Sequence, residues 1–216
     1  SDLTMNFNAG LDDPAQEATC LTGFDWHYGT TAAPAGTISF YEVVLHEIAH
    51  GLGFQSFADW GGSGALFFGD DDQMTHFLED QSAGVTLTDA GATNAQRATA
   101  ATDDGDLVWT GPEVTAEAVG FLTAGTKSGD VLMYAPSTFR GGSSIAHFDT
   151  TLTPDEVMEP SYTGGADLEL TKAFFFDIGW EPANARPEIT AQVPLDVDED
   201  DSITLALTDF TVDDPD

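Results

Sequence analysis

Apolar and polar residues alternate from Leu3 to Asn8, the period-two pattern of a β-strand. A stretch punctuated by Gly10, Pro14, Gly23, Gly29, Pro34 and Gly36 follows and reads as loop. Ser39 precedes Glu42 by three residues and a run Val43-Val44-Leu45, the sequence sign of a helix N-terminus, so a helix is predicted from Phe40 to Gly51. Val43, Val44, Leu45, Ile48, Ala49 and Leu52 place apolar side chains on nearly every side of that helix, which predicts that it is buried. From Phe54 to Ser144 the chain is rich in Gly, Asp, Thr and Ser, and periodic segments are few. Helices are predicted over Ala90–Ala101 and Val114–Leu122, a short strand over Val131–Tyr134, and a closing helix over Glu169–Ile178, stopped by Gly179.

The texture changes after Trp180. Pro182, Pro187 and Pro194 lead into Asp196-Val197-Asp198-Glu199-Asp200-Asp201, and Ile203 to Thr208 alternates as a strand does. The expected organisation is therefore a domain over 1–182, followed by a linker and the first strands of a β-type module over 183–216. This tail resembles the start of the cadherin-like or immunoglobulin-like repeats of secreted bacterial proteins.

Composition narrows the function. Among 216 residues, 38 acids face 5 bases, for a formal charge of −33. Two Lys and three Arg cannot neutralise a phosphate track, which argues against nucleic acid and against an anionic membrane surface. No apolar run approaches the roughly 18 residues of a membrane-spanning helix. A hydrophobic share of 41% supplies a core despite the charge. So acidic a surface suits solubility in salty water or the gathering of divalent cations. Cys20, the lone cysteine, is a buried thiol or half of a bridge to another chain segment.

The residues that carry chemistry are His46-Glu47-Ile48-Ala49-His50. On a helix, positions four apart point the same way, so both imidazoles can reach one metal ion, and Glu47 stands roughly 100° round the axis, close enough to hold an activated water. With 5 His and 12 Glu in the chain, a match to this pattern arises by chance only about 0.006 times. A catalytic zinc takes three protein ligands and keeps one position open. Gly53 marks a sharp turn after the second histidine. The compact metzincin pattern would put the third ligand at Ser56, which is no zinc ligand. A thermolysin-like site would use a downstream Glu with an Asp four residues on, and Glu79 has Ala83 there instead. His27, His76 and His147 remain as third-ligand candidates.

His147 is followed by Glu156-Val157-Met158-Glu159-Pro160, and this order of a late histidine and a methionine turn resembles the leishmanolysin-like branch of the metzincins. Val43 to Phe54, Leu107 to Pro112 and Gly142 to Trp180 also look like a family of secreted bacterial metzincin-type peptidases. The resemblance implies an α+β fold, with a lower subdomain built from the active-site helix, a long insertion and a C-terminal helix. It implies His46, His50 and His147 as zinc ligands, Glu47 as general base and Met158 as a floor beneath the metal; Tyr162, four residues after Met158, is a candidate donor to the oxyanion. Zn2+ is the implied cofactor, protein or peptide the substrate, and the bacterial exterior the location.

Metzincin domains place a twisted sheet above the active-site helix, and about 38 residues before that helix leave room for one or two strands. An upper subdomain supplied by an upstream segment of the same precursor is expected, with its cysteine as the implied partner of Cys20. Some relatives insert a protease-associated domain after the segment matching Val108-Trp109, for which the spacing here leaves no room. The acidic groups Asp70-Asp71-Asp72, Asp103-Asp104-Gly105-Asp106 and Asp196–Asp201 are candidates for Ca2+, although neither of the first two fits the twelve-residue calcium loop. The reading is thus a zinc endopeptidase. The alternative is a zinc-containing adhesion or binding module that has lost turnover, against which the intact Glu47 argues.

Overall fold

The computed structural model describes residues 4–13, 15 and 23–180 and the strands 188–192 and 210–213. The chain divides into two compact units, Ser1–Trp180 and Glu181–Asp216. The first mixes helices with a small antiparallel sheet, an α+β arrangement.

Strands β1 (Asp25–His27) and β2 (Thr37–Ser39) pair in parallel and lead directly into helix α1 (Phe40–Leu52). Helices α2 (Gln73–His76), α3 (Asn94–Ala100) and α4 (Pro112–Phe121) alternate with strands β3 (Leu78–Asp80), β4 (Val85–Thr86), β5 (Leu107–Trp109), β6 (Thr126–Lys127) and β7 (Asp130–Leu132). These five strands form one antiparallel sheet in the order β4-β3-β5-β7-β6. Helix α5 (Glu169–Asp177) closes the unit. In the second unit β8 (Glu188–Gln192) pairs antiparallel with β9 (Phe210–Asp213), with a register irregularity between Ile189 and Ala191. Ile203–Thr208, Asp196–Asp201 and Cys20 lie outside the described residues.

The central strand β5 marks the core: Leu107, Val108 and Trp109 are all buried, and since successive side chains point to opposite faces, both faces of the sheet are covered there. Trp109 packs on Phe174 of α5 at a centroid distance of 4.4 Å, and Phe174 stacks on Phe54 at 4.0 Å. Phe54 in turn meets Phe148 edge-on at 5.1 Å. This aromatic chain runs from the sheet to the end of α1 and to the residue after His147. Asp177 ties α5 to α4, accepting the N–H groups of Glu113 at 2.8 Å and Val114 at 3.1 Å together with Trp109 Nε1 at 2.8 Å. Its carboxylate caps α4 in place of Gly111, the cap residue, which has no side chain to do so; a Cβ there would collide with Asp177 itself. Arg97 is 2% exposed, yet its guanidinium meets no carboxylate. It donates to the carbonyls of Gly64, Leu87, Thr88 and Ala92 and to Asn94 Oδ1, which fastens the loops around α3.

Several elements differ from expectation. Thr4–Asn8 lies outside the sheets of the described residues, although its exposure alternates as in a strand. Helix α3 begins at Asn94 rather than near Ala90, since Thr93 and Gln96 form a full capping box there. Ser39 caps α1 by accepting the Glu42 N–H at 3.2 Å, but the reciprocal half of the box is missing: the Ser39 N–H goes to the Tyr162 hydroxyl and the Glu42 carboxylate to the Gly165 N–H. Helix α1 is also far less buried than its sequence suggests. Ala49 alone is fully buried, Leu52 is 40% exposed, and only the Leu45–Ala49 side joins the core, because α1 lies on the outside of the unit with cavities along its flanks. The strands of the five-stranded sheet have two or three residues each, too short for a period to show in sequence.

Phe174 links the sheet to the far end of α1. Phe174→Ala is expected to lower the unfolding free energy by about 3–5 kcal/mol, read from urea denaturation of the chain. A loss below ~1 kcal/mol would show that the aromatic chain does not hold these elements together.

Candidate metal centre

Helix α1 puts His46 and His50 one turn apart, and their Nε2 atoms stand 3.1 Å from each other. The Nε2 atom of His147, from the loop after β7, lies 3.2 Å from that of His46. A tetrahedral ion at about 2.0–2.1 Å from each nitrogen sets neighbouring ligand nitrogens about 3.3 Å apart, so the spacing fits such an ion. Among the described residues this is the group of His, Cys, Asp and Glu side chains able to hold a metal.

The other side of each ring decides the chemistry. His46 Nδ1 lies 2.7 Å from the Val157 carbonyl, His50 Nδ1 2.8 Å from the Phe54 carbonyl, and His147 Nδ1 2.8 Å from the Ser143 carbonyl. A carbonyl oxygen only accepts, so each Nδ1 carries the proton and donates it, and in the neutral ring the Nε2 lone pair then faces the other imidazoles. Three lone pairs that converge without a proton between them repel, and a bound cation removes that repulsion. Sharing a proton is opposed as well: burial is the main cause that pushes His147 down to about 3 and lowers His50, and the neighbouring imidazoles add to it.

Local structure sets up each contact. Gly53 closes α1 at φ 125°, with its N–H on the His50 carbonyl at 3.2 Å, and Phe54 N–H returns to Ala49 at 2.9 Å. That reversal is what carries the Phe54 carbonyl back to the His50 ring. Gly53 thus does more than turn the chain away. Two residues before His147, Ile145 adopts φ 76°, a conformation a β-branched residue rarely takes. Its complete burial and its N–H bond to the Tyr134 carbonyl at 2.8 Å hold it there and fix the loop that aims His147. Met158 is fully buried, and its carbonyl accepts the Phe148 N–H at 2.9 Å, so the methionine turn is fastened directly beside His147. Its neighbour Val157 supplies the carbonyl for His46.

Glu47 is exposed and lines the walls of three adjoining cavities, one shared with His46 and two with His50. Tyr162 lines the cavity beside His46 and Glu47, but its hydroxyl accepts the Ser39 N–H at 3.0 Å, at the N-terminal end of α1. The structure therefore gives it a role in seating the helix and shows no contact with the imidazoles. His27, whose Nε2 lies 3.4 Å from Thr31 Oγ1, and His76, packed against Phe77, stand outside the metal group. Ser56 holds Asp72 at 2.8 Å and receives Trp60 Nε1 at 2.8 Å, a structural node. Glu79 pairs within the sheet, opposite Val108.

The acidic loops act as caps. Asp72 accepts the N–H groups of Thr75 and Phe57, at the start of α2, and Asp71 accepts that of Asp89. Asp103 receives Ser82, and Asp106 pairs with Lys127. Neither loop gathers its carboxylates into a cation site among the described residues. The residues that sequence reasoning missed are Val157, Phe54, Ser143 and Ile145: backbone carbonyls and a strained φ leave no mark in side-chain identity.

Comparison with known protein families, curated proteins and solved structures returned no match. The likeness to metzincin peptidases therefore stands on the residues quoted for it.

Two predictions follow from this geometry. Gly53→Ala, which strains the turn that delivers the Phe54 carbonyl, is expected to weaken the binding of a divalent metal ion at the three histidines by about 10–100-fold in a competitive chelator titration. Unchanged affinity would mean that the carbonyl does not orient His50. The second concerns Glu156, which burial raises to about 7 from 4.5 although Leu170 N–H and Thr171 hydroxyl donate to it. Because the folded form holds its proton longer than the unfolded chain, this group's contribution is complete below about 4.5 and falls as pH rises through about 7. Urea denaturation at a series of pH values should show that decline, and Glu156→Gln should flatten it; an identical profile in the variant refutes the assignment.

Proposed function

We propose that this chain is a zinc-dependent endopeptidase of the metzincin type, with residues 1–182 as its catalytic domain. The observation that carries the reading is the convergence of three lone-pair nitrogens, each fixed by a carbonyl behind it, beside an exposed carboxylate on the same helix turn. Three neutral histidines that leave one position open make up a zinc donor set used for hydrolysis. Such an ion, when bound, lowers the pKa of a water towards ~7 and polarises the peptide carbonyl.

The chain's own residues supply the rest. His46, His50 and His147 would hold the ion through Nε2. Glu47 takes the proton from the attacking water on its carboxylate and delivers it to the leaving amine nitrogen. Met158, buried in the core, holds the Phe148 N–H on its carbonyl next to Val157, whose own carbonyl meets His46. Tyr162 steadies the N-terminus of α1 through Ser39, and its own phenolic proton remains available to an oxyanion. Open cavities on both sides of Glu47 suit an extended peptide lying across the centre. The substrates in this reading are proteins or peptides met outside a bacterial cell, where an acidic surface keeps the enzyme soluble.

Glu47→Gln is expected to lower casein or peptide turnover by about 10²–10⁴-fold while one zinc per chain remains in metal analysis. His147→Ala should lose the metal and the activity together, and a chelator should abolish wild-type turnover. A zinc-loaded wild type with no turnover would favour the adhesion module, and an active Glu47→Gln would refute the mechanism.

A further inference from the structure

Beside His46 and Glu47 lies a cavity of about 180 Å³. One part of its wall is aliphatic, from Val43, Val157 and Ala166. Another part is acidic, with Glu42 and Glu159, and among the described residues no Lys or Arg lines it. We propose that this cavity is a specificity pocket that takes a lysine or arginine side chain next to the bond to be cleaved. The inference rests on the peptidase reading and adds a substrate class to it.

Glu159 carries the argument. It is only 4% exposed, and one carboxylate oxygen accepts the Glu156 N–H at 3.0 Å. Among the described residues its second oxygen has no hydrogen-bond partner, and Glu159 lines the cavity. A carboxylate so placed is costly to ionise: burial, with Asp155 and Asp149 nearby, pushes it up to about 7. The neighbouring Glu156 differs, for both of its oxygens are taken by Leu170 and Thr171. Among the described residues no ion pair joins Glu159 to Lys127, Lys172, Arg97 or Arg140. Lys127 is paired with Asp106, Lys172 with Glu169, and Arg97 is spent on carbonyls. A substrate lysine or arginine would lay its methylene stem along the valines and set its charged head on the free oxygen. A leucine would leave that oxygen buried and unpaired, and an acidic side chain would be repelled.

The test is digestion of a peptide library, randomised on both sides of its centre, by the zinc-loaded full chain, with cleavage sites read by mass spectrometry. The expected result is enrichment of Lys and Arg at one flanking position by about tenfold over Leu. In Glu159→Gln that enrichment should disappear while Leu-bearing peptides are still cut. The wild type gives a second reading that needs no variant: arginine hydroxamate should inhibit about tenfold more tightly than leucine hydroxamate. Cleavage without a basic preference, equal inhibition by the two hydroxamates, or a preference that survives in Glu159→Gln overturns the pocket and leaves the peptidase reading standing. Absence of any cleavage by the zinc-loaded chain overturns that reading, and the pocket with it.

Discussion

The centre depends on three hydrogen bonds that never touch a ligand. Each imidazole gives its Nδ1 proton to a backbone carbonyl, and this leaves Nε2 with no role except to offer a lone pair inward. The carbonyls come from Val157, Phe54 and Ser143, which lie in three different parts of the chain. The turn at Gly53, the left-handed Ile145 and the buried Met158 are the devices that deliver them. The core serves the same end. Phe54 and Phe148 sit beside two of the metal-facing segments and meet the one ring of Phe174 or each other.

A second constraint runs through the fold. With 38 acids and 5 bases, ion pairing cannot settle the carboxylates. Among the described residues they turn instead to backbone N–H groups and hydroxyls: Asp72 at the start of α2, Asp177 at the start of α4, Glu156 at the start of α5. The helix ends gain their caps in this way. Among the described residues Glu159 keeps one oxygen without a hydrogen-bond partner, on an acidic wall beside the centre.

The sequence by itself determined the parts of the centre governed by local periodicity. Four-residue spacing on a helix brings His46 and His50 together in any surroundings, and Ser39 and Gly53 bracket that helix by local capping and turn preferences. The order of His147 and Met158 pointed to the third imidazole through family likeness alone, since nothing in its neighbours marks a ligand. Helices α4 and α5 were legible because each spans more than two turns, whereas strands of two or three residues carry no readable period. What only the tertiary structure decided is everything that depends on atoms common to all residues. Which carbonyl holds which ring, which face of α1 stays open and which carboxylates reach the cavity beside His46 are matters of long-range approach. Backbone groups are chemically the same at every position, so their roles are assigned only when the chain has brought distant segments together.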